Sequence, residues 1–249
     1  MSQPRRVKLE PAFILHMRPF RDSSQILDIF SREHGKLALV ARGSRGAKSR
    51  LRGLLRPFMP LTLSWVQRTD LGTLTGAEMR ASPLTLGGDV LLSGYYVNEL
   101  LLHLLHRHDP QPALFDAYGQ TIERLVGSAT PARQLREFEI ELLRQIGYAI
   151  NLDHEAGAST PLSGDHYYEY RVEQGPVAVS KRDGDMVFKG SVLSAISDRQ
   201  FDDSATLKAA NRLLREVLAF HLGGKELKSR RVLVDLHRAR IAAPKGKAS

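Results

Sequence analysis

Between Arg6 and Arg80 apolar and polar residues alternate in short runs, the period of half-buried strands. Val7-Lys8-Leu9 and Ala12-Phe13-Ile14-Leu15-His16 predict a first strand, with Pro11 marking a kink or an edge. Gln25–Phe30 and Leu37–Val40 predict two more, joined by a turn at Glu33-His34-Gly35-Lys36. Leu61, Leu63 and Trp65 alternate with Thr62, Ser64 and Val66, and Gly72–Met79 supplies a last strand whose two glycines mark bends. Five short strands in about eighty residues fit a small barrel, and the pattern alone does not separate an oligonucleotide-binding (OB) barrel from an SH3-like one.

At Ser82-Pro83 the period lengthens to three and four residues. Helices are predicted over Asp89–His108, Ala113–Val126, Ala132–Ile146, Ser204–Leu222 and Lys228–Arg240, the third opened by Thr130 as N-cap and Pro131 at the first helical position. Three short strands, His166–Arg171, Val177–Lys181 and Met186–Lys189, interrupt them. The expected fold is α+β, a five-stranded barrel over 1–80 and a mainly helical domain over 81–241 with a β insert at about 166–189. A flexible basic tail over 242–249 follows.

Charge sharpens this division. Residues 1–80 hold fifteen Lys/Arg against six Asp/Glu, residues 81–224 thirteen against nineteen, and residues 225–249 eight against two. A basic first unit calls for a polyanionic partner, with nucleic acid the first candidate. Six of the cations, Arg42, Arg45, Lys48, Arg50, Arg52 and Arg56, fall between the third and fourth strands with no acidic residue among them. Gly43, Gly46 and Gly53 keep that stretch out of regular structure, so it is expected to be a mobile loop with free backbone N–H groups, able to follow a phosphate chain.

Other chemistry is thin. The chain has no cysteine, which excludes disulfides and thiolate metal sites and fits a reducing cytoplasm. No apolar run approaches the ~18 residues of a membrane span, and Met1–Glu10 has no apolar core, which predicts no secretory leader. Gly43-Ser44-Arg45-Gly46 lacks the Gly-Lys-Ser/Thr that completes a nucleoside-triphosphate loop. His103, His106 and His108 have metal-like spacing but no second ligand cluster, so no metal or other cofactor is expected. Asp202-Asp203 and the Asp183/Asp185 pair are the close aspartate pairs on which a Mg²⁺ nuclease could be built, and both sit in turn-like sequence suited to capping. The chain therefore reads as a binding protein and not an enzyme. Trp65 and Phe58 are the aromatic residues that either stack bases or fill the barrel.

Several stretches in order along the chain resemble the RecO DNA-repair family: Ala12–Leu15, Leu39–Gly43 running to Leu55–Phe58, Tyr95–Leu100, Phe138-Glu139 with Gly147-Tyr148, and Leu222–Arg230. The resemblance implies an N-terminal OB domain and a helical C-terminal domain. It implies binding of single- and double-stranded DNA, annealing of complementary strands, and help in placing RecA on DNA coated by single-strand-binding protein, with RecR as partner. It further implies work in the cytoplasm at the nucleoid. Many members carry a four-cysteine zinc site, whereas the matching stretch Asn151–Gly157 has no cysteine, so packing and hydrogen bonds must hold it. The acidic tail of single-strand-binding protein needs a cation beside an apolar groove. Arg133 and Arg136, at one end of the stripe Leu135, Phe138, Leu142 and Ile146, offer one surface, and Lys225, Lys228, Arg230 and Arg231 another. Against the first, Arg133 with Glu137 and Arg136 with Glu139 are ordinary helix ion pairs. Against the DNA reading as a whole stands an adaptor whose basic loop docks an acidic protein.

Overall fold

The computed structural model describes residues 5–232. Contacts group it into two compact units, one running to Ser128 and resuming at Glu226, the other Ala129–Lys225.

The first unit opens with five strands, β1 (Arg5–Phe20), β2 (Ser24–Ser31), β3 (Gly35–Ala41), β4 (Leu61–Gln67) and β5 (Leu71–Met79). They form a closed barrel in the order β1-β2-β3-β5-β4, sealed by a parallel contact between β3 and β5 and by β1 pairing with both β2 and β4. This is the OB arrangement. One strand can serve two neighbours because β1 is sixteen residues long and bends. Its register shifts between Val7 and Glu10, where Leu9 has a φ of 51°, and again between Ile14 and His16. Pro11 sits within the strand near the first bend, where its missing N–H is tolerated.

Alternation divides the barrel's two faces. Ile14, Leu27, Ile29, Leu37, Leu39, Leu61, Leu63, Trp65 and Leu74 fill the interior. Trp65 is 1% exposed and belongs wholly to that core. Phe58 is also buried, but it leaves the barrel interior to pack edge-on against Tyr95, with ring centroids 5.2 Å apart. Outward-facing Phe13 and Phe30 are covered by helix α2 (Pro112–Leu125), each ring meeting Phe115 and Tyr118 at centroid distances of 4.9 to 6.5 Å. The preceding helix α1 (Gly88–Leu104) contributes Asn98, whose side-chain amide donates to the Leu15 carbonyl at 2.9 Å and accepts from the Tyr118 hydroxyl at 2.8 Å. Burial without a charged partner pushes the Tyr118 phenol far up, so it stays a donor.

Helix α1 stops four residues before the expected His108. Leu105 is extended, Arg107 bridges to Lys36, and the His108 N–H donates to the Lys36 carbonyl, so the segment lies beside β3 instead of continuing the helix. Gly35, with a φ of +64°, makes this approach possible, since a Cβ there would lie 2.2 Å from the Asp109 carbonyl oxygen.

The second unit contains helix α3 (Pro131–Gln145), a three-stranded antiparallel sheet and helices α4 (Gly190–Ser197) and α5 (Ser204–His221). The sheet strands are β6 (Tyr167–Arg171), β7 (Gly175–Val179) and β8 (Val187–Lys189), ordered β7-β6-β8. Thr130 takes the N-cap position of α3 with Pro131 following. The apolar face of α3 is Leu135, Phe138, Leu142 and Leu143, while Ile146 is the C-cap. Leu213, Leu214, Val217 and Leu218 form the buried face of α5, against which α3 packs. Helix α4 has no counterpart in the predicted elements.

The cysteine-free stretch is held by its own polar groups. The Asn151 side chain accepts from the Asp153 and His154 N–H groups and donates to the His154 carbonyl, Ala156 N–H donates to the Pro176 carbonyl at 2.7 Å, and Ser163 N–H donates to the Tyr168 hydroxyl.

Residues 228–232 are helical, and the remainder of the helix expected to Arg240, with the basic tail at 242–249, lies outside the described residues.

Candidate nucleic-acid interface

The connection from β3 to β4 is a chain of tight turns. Gly46 N–H donates to the Gly43 carbonyl, Ser49 to Gly46, Arg52 to Ser49, and Leu54 and Leu55 to Leu51, at 3.0 to 3.2 Å. Its apolar residues turn inward. Leu55 and Met59 belong to the barrel core, and Leu51 and Leu54 pack against it. Ser44 is 1% exposed and its hydroxyl donates to the Ala41 carbonyl at 2.8 Å, pinning the segment where it leaves β3. The expected run of free N–H groups is therefore broken up, because glycines three and seven residues apart, with serines between them, close successive turns on themselves. What the segment presents is side chains.

Arg42, Arg45, Lys48, Arg50, Arg52 and Arg56 are all exposed, and among the described residues none of them forms an ion pair. Buried leucines fix the backbone while the cations stand in water, an arrangement that holds charge in place at little cost in loop entropy on binding. The segment is also tied to the β1–β2 turn. Arg45 N–H donates to the Ser23 carbonyl at 2.8 Å, its guanidinium to the Arg21 carbonyl at 3.4 Å, and Gly43 N–H to the Ser24 hydroxyl. Arg21, exposed and with a φ of 54°, thereby joins the basic surface. The charge run gives no hint of Arg21, which lies twenty-one residues before Arg42 and is brought close by strand pairing.

The proposed partner-binding cations divide sharply. Arg133 pairs with Glu137 and Asp202, both at 2.9 Å. Arg136 is 7% exposed, pairs with the fully buried Glu139 at 2.5 Å, and donates to the Asn211 side chain. Arg136 thus lies inside the α3–α5 contact and not on a surface groove. By contrast Lys225 and Lys228 are exposed, Arg230 is half-buried, and Arg231 is exposed and pairs with Glu226 at 3.3 Å.

The start of the 228–232 helical turn is clasped by Glu99 of α1. Its carboxylate accepts from the N–H groups of Lys228 and Ser229 at 2.9 Å and from the Ser229 hydroxyl at 2.6 Å. Partial burial opposes ionisation, but these donors outweigh it and hold the carboxyl below its usual range. A depressed folded-state pKa makes this clasp fully stabilising above the ordinary carboxylate pKa and progressively weaker as pH falls through the folded value.

The other candidate chemistry has structural employment. Asp203 caps α5, accepting from Ala205 and Thr206 N–H at 2.8 Å, and Asp202 is the partner of Arg133. Among the described residues no three His, Cys, Asp or Glu side chains gather as a metal site, and no helix is long and apolar enough to cross a membrane.

A closed OB barrel bearing a basic segment that forms no ion pair among the described residues, followed by a helical region with a small sheet, defines an OB-barrel class of protein that comparison with known sequences narrows further. Residues 6–83 match the model for the Recombination protein O N-terminal region and 88–231 that for its C-terminal region. The "DNA repair protein RecO" of Nitrosococcus oceani is 44% identical over 234 residues, covering 94% of this chain and 95% of that protein. The proteins of the same description from Aromatoleum aromaticum and Dechloromonas aromatica are 41% and 38% identical, each covering 95% of this chain and 99% of their own length. The chain belongs to the RecO family and has a role in DNA repair and recombination.

Proposed function

We propose that this chain binds single- and double-stranded DNA through the Arg42–Arg56 segment, anneals complementary strands, and helps to place RecA on DNA coated by single-strand-binding protein. RecR is its working partner, RecA is served indirectly, and the setting is the cytoplasm at the nucleoid. The observation that carries this reading is six exposed cations that form no ion pair among the described residues, on a segment whose backbone is sewn to the end of the barrel. Two DNA strands repel each other through their phosphates. A fixed cationic surface releases their counterions and lowers that repulsion while leaving base edges free to pair. No bond is made or broken, so no nucleotide or metal is required.

The acidic tail of single-strand-binding protein is assigned to the Lys228–Arg231 stretch, not to α3. Among the described residues the side chains of Lys228 and Arg230 form no ion pair, and the apolar side chain of Val232 is 42% exposed in the same helical stretch. Arg133 and Arg136 already have carboxylate partners.

Annealing of complementary oligonucleotides without nucleotide or Mg²⁺, on naked strands and on strands coated by single-strand-binding protein, tests the proposal. The protein should accelerate both reactions. Lys228→Ala/Arg230→Ala should slow the coated reaction several-fold and leave the naked one nearly unchanged. Failure to accelerate naked annealing contradicts the DNA reading, and cleavage of the strands on adding Mg²⁺ replaces it with an enzyme.

A further inference from the structure

The outer face of β1–β2–β3 is assembled by cross-strand register. His16 stands opposite Asp28 and Asp28 opposite Ala38, Arg18 opposite Ile26 and Ile26 opposite Val40, and Phe20 opposite Ser24. Side chains directly opposite share a face, so Ile26, Ala38 and Val40 make a small apolar cluster outside the barrel, and Phe20 packs against it half-buried. The guanidinium of Arg21 lies over the Phe20 ring, 5.2 Å from its centroid. Asp28, the one carboxylate in these rows, is already paired with Arg18 at 3.0 Å and with His16. Arg45 ties the turn that carries Phe20 and Arg21 to the basic segment through the Ser23 and Arg21 carbonyls.

We propose that Phe20, with Arg21 over its ring, is a stacking subsite for an unpaired base of single-stranded nucleic acid whose backbone runs along the Arg42–Arg56 segment. A ring supported from beneath by Ile26, Ala38 and Val40 has little freedom to lose when a base stacks on it. The guanidinium is planar and weakly hydrated, so an entering base takes its place on the open face of the ring and the guanidinium moves onto the outer face of the base. Arg21 holds a positive φ although it is not glycine, a conformation that costs energy and persists where surroundings over-determine it. Here the tight β1–β2 turn takes up that φ, and the Arg45 guanidinium reaches the Arg21 carbonyl at 3.4 Å. Arg18 neutralises Asp28 in these rows, and the exposed Asp22 of the adjoining turn is outnumbered by Arg21 and Arg45, so the charge here favours a polyanion. The aromatic surface selects unpaired bases over a duplex, in which bases are already stacked.

The inference rests on the DNA-binding reading above, and one titration separates the two. Binding of a labelled oligothymidylate and of a duplex of equal length is measured for the protein, Phe20→Ala, Phe20→Trp and Arg21→Ala. Phe20→Ala should weaken single-strand binding roughly ten-fold with an unchanged salt slope and an unchanged duplex affinity. Phe20→Trp should restore it. The natural tryptophan, Trp65, is buried in the barrel, so emission quenched by single strands and not by duplex in Phe20→Trp reports stacking at residue 20 even where Phe20→Ala folds poorly. Arg21→Ala should give a smaller single-strand loss with a slightly flatter slope. Equal loss on both DNAs, or an unquenched Trp at residue 20 in a protein that binds single strands, overturns the stacking subsite alone. If the unaltered protein binds neither DNA, the DNA reading falls with it.

Discussion

Changing Arg45, Lys48, Arg50 and Arg52 together to Ala is expected to weaken duplex binding by roughly a hundred- to a thousand-fold near 0.1 M salt, without sequence bias. Four of six exposed, unpaired cations are lost, and each phosphate contact contributes through the counterion it releases. The plot of log K against log salt should flatten to a slope near −1, the remainder supplied by Arg42 and Arg56. The fold should survive. The substituted side chains are exposed, while Ser44, Leu51, Leu54 and Leu55, which anchor the segment, remain. Unchanged affinity and slope in a folded variant would remove the segment from the interface.

The second large effect is on stability. Arg136→Ala takes the ion-pairing guanidinium from the fully buried Glu139 and from Asn211. Removing one partner of a buried ion pair costs about 3–5 kcal/mol, which lowers Tm by roughly 10 °C. Arg136→Met with Glu139→Leu should recover most of that loss, because no buried charge is then left alone. DNA affinity at a temperature where Arg136→Ala is folded should be unchanged, since the basic segment belongs to the other unit. A loss below about 1 kcal/mol would mean that Arg136 is solvated and free to meet a partner.

These two sites show where sequence is transparent and where it is not. The barrel strands follow directly from alternation, because Leu61, Leu63 and Trp65 point into the barrel while Thr62 and Ser64 do not. Pattern alone leaves OB and SH3-like barrels open, since what separates them is strand order, and the parallel β3–β5 contact joins strands thirty residues apart. Helix α4 is hard to read because Gly190–Ser197 is short, carries the β-branched Val192 and Ile196, and has no side-chain cap. The last turn of the expected α1 escapes because a run such as Leu104–His108 suits a helix, but the backbone of β3 competes for its N–H groups. Arg136 is the plainest case. An Arg and a Glu three residues apart look the same whether solvent or a second helix faces them, and only the packing of α5, with Asn211, decides. Phe20 is obscure in the sequence for a related reason: Trp65 and Phe58 lie nearer the charge run, yet both are buried, and hairpin register brings an earlier ring towards the basic segment.

The central claim, that this surface reads phosphate charge, is tested most directly by titrating the unaltered protein with duplex and single-stranded DNA across ~0.05 to 0.3 M salt. With four or five of the six cations on phosphate, log K against log salt should fall with a slope near −4 on duplex and near −3 on single strands. A slope near zero on both, or no binding at the lowest salt, contradicts it and leaves the basic segment as a dock for an acidic protein.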